Sequence, residues 1–181
     1  MSKIAFITGG AASGKSRWAV SSFASCDNVL YMVISDRIDD DTMARIDYNC
    51  KKNDVEWDIK TSVKNIIEAA DGRKFTILDN LGAYVNMIIA EKCPDLSDMT
   101  DELRKDIERQ AISEVTTLMD IVKEANANLL IISTELGFGP LPESREQRWF
   151  REIIGNVNQR IANLSNEVYL SASGIPFKIK G

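Results

Sequence analysis

The residues with the clearest chemical meaning lie near the amino terminus, in the segment Gly9-Gly10-Ala11-Ala12-Ser13-Gly14-Lys15-Ser16. Their spacing fits G-x-x-x-x-G-K-[S/T], a loop in which backbone N–H groups surround phosphate oxygens. Glycines let the backbone fold closely around an anion, where a Cβ atom would clash. We therefore predict that residues 9–16 bind a nucleoside triphosphate. Lys15 is expected to be a catalytic residue at the β- and γ-phosphates, and the Ser16 hydroxyl is expected to be a ligand of Mg²⁺.

The segments on either side of this loop support that interpretation. An apolar run over residues 4–7 is typical of a buried strand, and residues 17–20 can open a helix whose N-terminal dipole favours an anion. A strand before the loop and a helix after it are the context that the motif requires. The alternative is an ordinary glycine turn before a helix, with a lysine there by chance.

A second candidate residue is Asp79, which closes the apolar run Phe75-Thr76-Ile77-Leu78. A carboxylate at a strand end commonly holds Mg²⁺ in phosphate-loop proteins, so we predict that Asp79 is catalytic and shares a metal with Ser16. Two alternatives stay open. Asp79 could cap the next helix, for which the Asp79-Asn80 pair is suited, or accept a proton from a substrate hydroxyl.

Three further polar clusters have a weaker chemical meaning. The glycine-containing segment 133–139 follows an apolar strand, where parallel sheets bind ligands, and is either a ligand loop or a flexible turn. An acidic cluster is expected to cap a helix, with cation binding as the alternative; its members are Asp36, Asp39, Asp40 and Asp41. A group of arginines lies among the acidic residues Glu143, Glu146 and Glu152, and its members are Arg145, Arg148, Arg151 and Arg160. We expect most of these arginines to lie on a solvated helix face and to form ion pairs.

Composition narrows the classes of function. The 181 residues carry a net charge of −5 and no long basic run, which argues against a nucleic-acid partner. No apolar run approaches the roughly 20 residues of a membrane span, no signal peptide precedes the first strand, and scattered Cys26, Cys50 and Cys93 suggest reduced cytoplasm. The chain has no histidine, which excludes histidine as a general base, a metal ligand or a phosphate carrier.

Short apolar runs alternate with longer segments of helical periodicity along the whole chain. We expect strands at 3–8, 29–34, 56–60, 75–78, 129–132, 168–170 and 177–179. Helices are expected at 14–24, 39–52, 63–72, 82–92, from Ser97 or Thr100 to about 126, and through 149–164. Residues 93–101 form the expected exposed connection. This order predicts one α/β domain over residues 1–181, with a mainly parallel sheet covered by helices on both faces.

Together these segments resemble a known family, the bifunctional adenosylcobinamide kinase and adenosylcobinamide-phosphate guanylyltransferase of cobalamin assembly. The resemblance runs nearly end to end, through FITGGAASGKSRWA, VLYMVIS with DDDTMARI, and ILDNLGAYVNMII. Its most specific part is the carboxyl-terminal region, with the order E-x-G-x-G-x-x-P-E, an N-Q-R segment and the ending S-G-x-P-x-K-I-K.

The resemblance implies a three-layer P-loop NTPase fold of the RecA type, assembled as a homotrimer. It implies a kinase that uses ATP or GTP, with Mg²⁺, to phosphorylate the aminopropanol hydroxyl of adenosylcobinamide, a corrinoid. It also implies a transferase that moves GMP from GTP onto that phosphate. Further nucleotide-binding positions implied by the resemblance are Ile34, Ser35, Asp36, Cys50, Lys51, Lys52 and Asn53.

One position departs from the family pattern at its chemical centre. The family carries the guanylyl group on a histidine that follows an Arg-Ile pair and precedes a tryptophan by eight residues. This spacing is intact between Arg45-Ile46 and Trp57, but Asn49 occupies the histidine position. Four residues after the tryptophan, Thr61 stands where a glutamate is common. A covalent phosphoramidate needs a nucleophilic ring nitrogen, which an amide cannot replace.

We therefore expect a kinase whose guanylyl transfer is impaired or absent. Three alternatives stay open: a full bifunctional enzyme with an unusual carrier at Tyr48 or Cys50, a kinase of another small alcohol, and a nucleotide-binding paralogue without catalysis.

Overall fold

The computed structural model describes residues 2–181, which form a seven-stranded sheet in the order β3-β2-β4-β5-β1-β6-β7. The strands are β1 (Lys3–Gly9), β2 (Val29–Val33), β3 (Trp57–Lys60), β4 (Phe75–Asp79), β5 (Asn128–Ile132), β6 (Glu167–Ala172) and β7 (Ile175–Lys180). All neighbouring pairs are parallel except β6 and β7, which form a terminal antiparallel hairpin. Strand β5 separates the glycine-loop strand β1 from the Asp79 strand β4.

Helices cover both faces of this sheet, which confirms the expected three-layer α/β fold of the RecA type. They are α1 (Lys15–Ser22), α2 (Asp40–Asn53), α3 (Ile66–Ala70), α4 (Leu81–Lys92), α5 (Asp101–Glu124) and α6 (Arg145–Leu164). Helices α1 and α2 pack on one face, and α3 to α6 pack on the other. Among the helices formed by residues 2–181, none combines the length and the apolar composition that crossing a membrane requires.

The strands are continuous apolar runs because both of their faces are covered. All five residues of β2 are buried, and so are the last four residues of β5. Alternate residues of one strand therefore enter two different cores, as Tyr31 packs with α1 and α2 while Leu30 and Met32 face the larger helical layer. Burial of apolar side chains on both faces stabilises this parallel sheet, and its central strands have no face toward solvent.

Side-chain caps fix where several helices begin. Asp39 caps α2 by accepting the Thr42 N–H at 2.9 Å, which confirms the capping interpretation for this member of the acidic cluster, while Asp40 and Asp41 lie in the first turn of the helix. Asn80 accepts from Ala83 at the start of α4. Helix α5 begins after Thr100, whose hydroxyl accepts from Leu103, so Ser97 is not the cap. These bonds satisfy backbone donors that lack a partner in the first helical turn.

Two segments differ from the sequence-based expectation. Helix α3 spans only residues 66–70, because Asn65 caps it and Val63 is buried in the loop before it. The apolar residue Val63 therefore belongs to the buried loop before the helix, although its spacing matched helical periodicity. The connection 93–101 contains a short 3₁₀ turn and is exposed except at Cys93 and Met99, which are buried.

Candidate nucleotide-binding site

The glycine-rich segment connects β1 to α1 and curls around the ammonium group of Lys15. Lys15 Nζ donates to the carbonyl oxygens of Gly9 at 2.9 Å and Gly10 at 2.6 Å. Gly14 is the N-cap of α1 with φ of 92°, a left-handed conformation that favours glycine. The loop lines an open pocket of about 420 Å³ together with the first turn of α1. Backbone donors at the start of α1 and a nearby cation are the groups that bind a phosphate.

Asp79 lies at the carboxyl end of β4 and is linked directly to the loop. Its Oδ2 atom accepts a hydrogen bond from Ser16 Oγ at 3.1 Å and another from Tyr31 Oη at 2.5 Å. Asn80, and not Asp79, supplies the cap of α4, so Asp79 is free of that role. The structure thus brings together the two residues that the sequence proposed as metal ligands.

Burial sets the protonation behaviour of this cluster. Burial raises the pKa of the Asp79 carboxyl, while hydrogen bonds from Tyr31 and Ser16 act in the opposite direction. Burial also raises the pKa of Tyr31, which is completely inaccessible to solvent, so its hydroxyl remains a donor. The pKa of Lys15 is lowered by burial and raised by the charge of Asp79. On balance burial raises the pKa of Asp79 and lowers that of Lys15, so the two opposite charges only partly offset the cost of burying each other.

The donor set at this cluster fits a magnesium ion. Ser16 Oγ and the Asp79 carboxylate are hard oxygen ligands, and Mg²⁺ in such sites is held by one or two protein oxygens together with substrate phosphates. Within residues 2–181, no group of three or more His, Cys, Asp or Glu side chains could hold a metal ion alone. With Ser16 and Asp79 as its protein ligands, a Mg²⁺ at this cluster would take further ligands from water and nucleotide phosphates.

The first turns of α2 complete the pocket beside the loop. The 420 Å³ pocket is lined there by Asp39, Asp41, Thr42 and Arg45, and on the α1 side by Arg17. Arg45 pairs with Asp41 at 2.6 Å. A neighbouring pocket of about 400 Å³ shares three of these charged residues and also contains Tyr48 and Asn49. The carrier-histidine position thus lies in a groove continuous with the loop pocket, about 12 Å along the helix from Asp41.

The other predicted nucleotide-binding residues fall into two places. Ile34 follows β2, and its N–H donates to the Asp79 carbonyl at 3.0 Å, so residues 34–36 lie at the same sheet edge as the loop. Residues 50–53 form the last turn of α2, at the opposite edge of the sheet. Cys50 and Lys51 line a separate pocket of about 450 Å³ there. The structure therefore does not bring Cys50, Lys51, Lys52 or Asn53 next to the phosphate loop.

The segment that follows β5 is a fixed loop at this edge. Glu135 N–H donates to the Gly9 carbonyl at 3.0 Å, and buried Asn158 of α6 contacts Ser133 Oγ at 2.6 Å and the Thr134 carbonyl at 3.0 Å. These anchors hold residues 133–135 beside the glycine loop, so the interpretation as a flexible turn is wrong for this part.

Two arginines of α6 fix the rest of that loop. Arg148 donates to the carbonyls of Pro142 and Glu143, and Arg151 donates to those of Gly137, Gly139 and Pro140. The expectation of glutamate ion pairs is therefore wrong for Arg148 and Arg151. Carbonyls outside helices and strands need donors, and the planar guanidinium supplies several at fixed angles.

Sequence reasoning missed two sets of contacts at the site. Tyr31 was assigned only to a buried strand, and its hydroxyl was not connected with Asp79. The β6–β7 turn was noted as a motif, but its contact with the phosphate loop was not foreseen. A hydroxyl inside an otherwise apolar strand is a signal for the first, because a buried tyrosine usually has a hydrogen-bond partner.

The fold and the site define the class of protein. A glycine loop between a strand and a helix, with a carboxylate from a nearby strand on the loop's serine, is characteristic of P-loop nucleotide-binding proteins. A model of the family described as cobinamide kinase / cobinamide phosphate guanyltransferase matches residues 5–179, and this chain belongs to that family.

Two curated relatives match over almost their whole length. The chain is 32% identical over 179 residues to the bifunctional adenosylcobalamin biosynthesis protein CobU of Escherichia coli strain K12, covering 96% of this chain and 98% of the relative. It is 31% identical over 184 residues to the protein of the same name from Salmonella typhimurium, with the same coverage of each chain. The family resemblance expected from the sequence is thereby confirmed.

Proposed function

We propose that this chain is a nucleoside-triphosphate-dependent kinase of adenosylcobinamide in cobalamin biosynthesis, and that it does not transfer guanylyl groups through a histidine. The observation that carries this proposal is that Lys15 lies in the loop while Ser16 of the same loop bonds to Asp79, in a family member that has no histidine. The kinase step needs this set of groups, whereas the transferase step of the family needs a carrier that is missing.

Phosphoryl transfer depends on positioning and charge neutralisation, which the described residues can supply. In the proposed reaction the acceptor hydroxyl oxygen bonds to the γ-phosphorus, the bond to the β–γ bridging oxygen breaks, the nucleoside diphosphate leaves, and the hydroxyl proton passes to solvent. Lys15 and the loop N–H groups would hold the phosphates, and Ser16 with Asp79 would hold Mg²⁺. A bound Mg²⁺ supplies positive charge that offsets the charge on the transferred group. Asp79 as acceptor of the hydroxyl proton remains the alternative to its metal role.

The environment of Asn49 supports the loss of the carrier. Its neighbour Tyr48 is 64% exposed and has no adjacent histidine to remove its proton. Burial raises the pKa of the Cys50 thiol, which disfavours the thiolate that would be the nucleophile. The family description, which includes guanyltransferase, favours a second candidate function: a full bifunctional enzyme that uses one of these residues. A nucleotide-binding paralogue without catalysis is the third.

One incubation separates these candidates. The protein is mixed with adenosylcobinamide, Mg²⁺ and either ATP or GTP, and the masses of the corrinoid products and of the intact protein are measured. We expect addition of phosphate to the corrinoid, no addition of GMP, and an unmodified protein. A GMP-bearing corrinoid or a guanylyl adduct on Tyr48 or Cys50 would establish the bifunctional alternative. Nucleotide binding without product, on this acceptor and on other small alcohols, would establish the silent paralogue.

The remaining parts of the proposal concern substrates and setting. We propose ATP or GTP as the phosphate donor, the corrinoid as the acceptor, a homotrimer as the assembly and the cytoplasm as the location. The three cysteines are free thiols, as expected for a reducing compartment.

A further inference from the structure

Two hydrogen bonds from the carboxyl-terminal hairpin β6–β7 meet at one backbone carbonyl of the phosphate loop. Ser171 Oγ donates to the Ser13 carbonyl oxygen at 2.6 Å, and the Gly174 N–H donates to the same oxygen at 2.9 Å. Ser13 and Ser171 are both buried. One carbonyl of the loop is thus held by two donors that come from the other end of the chain.

Backbone packing makes this contact close. A Cβ atom on Gly14 would lie 2.9 Å from the Cα atom of Gly174, and one on Gly9 would lie 2.4 Å from the Ser171 carbonyl oxygen. The turn itself needs left-handed residues, with φ of 51° at Ser173 and 81° at Gly174. The S-G of the ending S-G-x-P-x-K-I-K therefore forms the turn that touches the loop.

Peptide geometry links this contact to anion binding. A trans peptide is planar, so the Ser13 carbonyl and the Gly14 N–H point in opposite directions. Holding the carbonyl toward the hairpin directs the Gly14 N–H away from it, and phosphate loops bind anions with such N–H groups. Because Gly14 has no Cβ, this peptide would otherwise rotate easily and could present its carbonyl oxygen to the phosphates, which would repel them.

We infer that the hairpin holds the phosphate loop in its anion-binding orientation, and that Ser171 and Gly174 are positioning residues for the triphosphate. This inference rests on the proposed function, because it assigns a residue to the same nucleotide site. It gives the carboxyl-terminal motif a role that is separate from its strand pairing.

The test is the variant Ser171→Ala, with Ser165→Ala as the matched control. Ser165 is equally buried and also donates to a backbone carbonyl, that of Ile161 in α6 at 2.8 Å, but it does not touch the loop. Dissociation constants are measured by calorimetry for Mg·ATP, Mg·GTP and magnesium tripolyphosphate, together with thermal unfolding midpoints. We expect Ser171→Ala to weaken all three ligands about five- to tenfold, as for the loss of one hydrogen bond, while Ser165→Ala leaves them within twofold.

Each outcome decides a separate question. If the unmodified protein binds none of these ligands, the proposed function itself is wrong. If it binds them and Ser171→Ala binds equally well, the positioning role is wrong. Equal weakening in both serine variants would show a general loss of stability and would also overturn the inference. A loss confined to the nucleotides, without tripolyphosphate, would place the effect on the base and contradict it.

If Ser171→Ala does not fold, Gly174→Ala carries the same test. It keeps the Ser171 hydroxyl but strains a residue at φ of 81° and places a Cβ atom 2.4 Å from Arg17 Nη2. We expect the same selective weakening of phosphate-bearing ligands, and unchanged affinity would overturn the inference.

Discussion

Lys15 has an ammonium group enclosed by the loop that carries it, between the Gly9 and Gly10 carbonyls. An ammonium has three donors, of which two go to these carbonyls and the third makes only a long contact with Ser13 Oγ at 3.4 Å. This third donor is the one that we expect a phosphate oxygen to take. Burial lowers the pKa of Lys15, and the negative charge of nearby Asp79 acts in the opposite direction. At this scale the proposed chemistry depends on one cation held in place by its own backbone.

The variant Lys15→Ala removes that cation. We expect the rate of phosphate transfer to fall on the order of a hundredfold or more, because a preorganised charge at a transferred group contributes several kcal/mol to the transition state. The measurement is kcat with adenosylcobinamide as the acceptor. Lys123→Ala is the control, since Lys123 pairs with Asp120 on the exposed face of α5, and its kcat should not change. An unaltered kcat for Lys15→Ala would remove the assignment.

The start of β6 is stabilised by a group of charged residues around Glu167. Its carboxylate accepts from Lys178 of β7 and from Tyr169, and pairs with Lys3 of β1 at 2.8 Å. Burial alone would raise the pKa of Glu167, but the hydrogen bonds from Lys178, Lys3 and Tyr169 outweigh it and lower the pKa to about 2. The side chain of Glu167 thereby connects β1, β6 and β7.

This pKa gives a pH-dependent prediction for the element. Because the folded pKa lies below the ordinary value of 4.5, the stabilisation is complete above pH 4.5 and is lost as the pH falls toward 2. Glu167→Gln should lower the free energy of unfolding by about 1–2 kcal/mol at pH 7, after allowance for solvent screening of the lysines. Urea denaturation of both proteins should show this difference shrinking below pH 4.5. A constant difference between pH 7 and pH 3.5 would contradict the assignment.

On the scale of the molecule, the edge strand β7 presents an apolar row. Ile175, Phe177 and Ile179 are 58%, 54% and 62% exposed and point to the same side of the strand. A row of large exposed apolar side chains on an edge strand favours association, so this is the surface that we expect the proposed trimer to bury.

Light scattering after size exclusion tests the assembly. We expect a mass three times that of the 20.2 kDa chain, and a shift toward the monomer for Phe177→Asp, because a charge would be buried without a partner. Leu96→Asp is the control, at a 37% exposed residue on the 3₁₀ turn, and should leave the mass unchanged. A monomeric unmodified protein would contradict the trimer, and a Phe177→Asp trimer would exclude this surface.

Local sequence patterns determined the phosphate loop, the Asp79 strand end and most element bounds. Residues 9–16 are contiguous, and glycine, lysine and serine at that spacing have few other physical uses. Alternating apolar runs and helical periodicity likewise depend on neighbours within one or two turns, so they could be identified without a tertiary structure. The absence of histidine was decided by composition alone.

Only the tertiary structure decided which distant residues meet at the loop. Tyr31 contacts Asp79 across 48 positions, and Ser171 contacts Ser13 across 158, because strand order places β2 beside β4 and β6 beside β1. The same geometry separates Cys50 from the loop, since an α2 helix antiparallel to the strands carries its last turn to the opposite edge. Neighbours in space follow from the packing of whole elements, and the sequence around each residue does not specify which elements become neighbours.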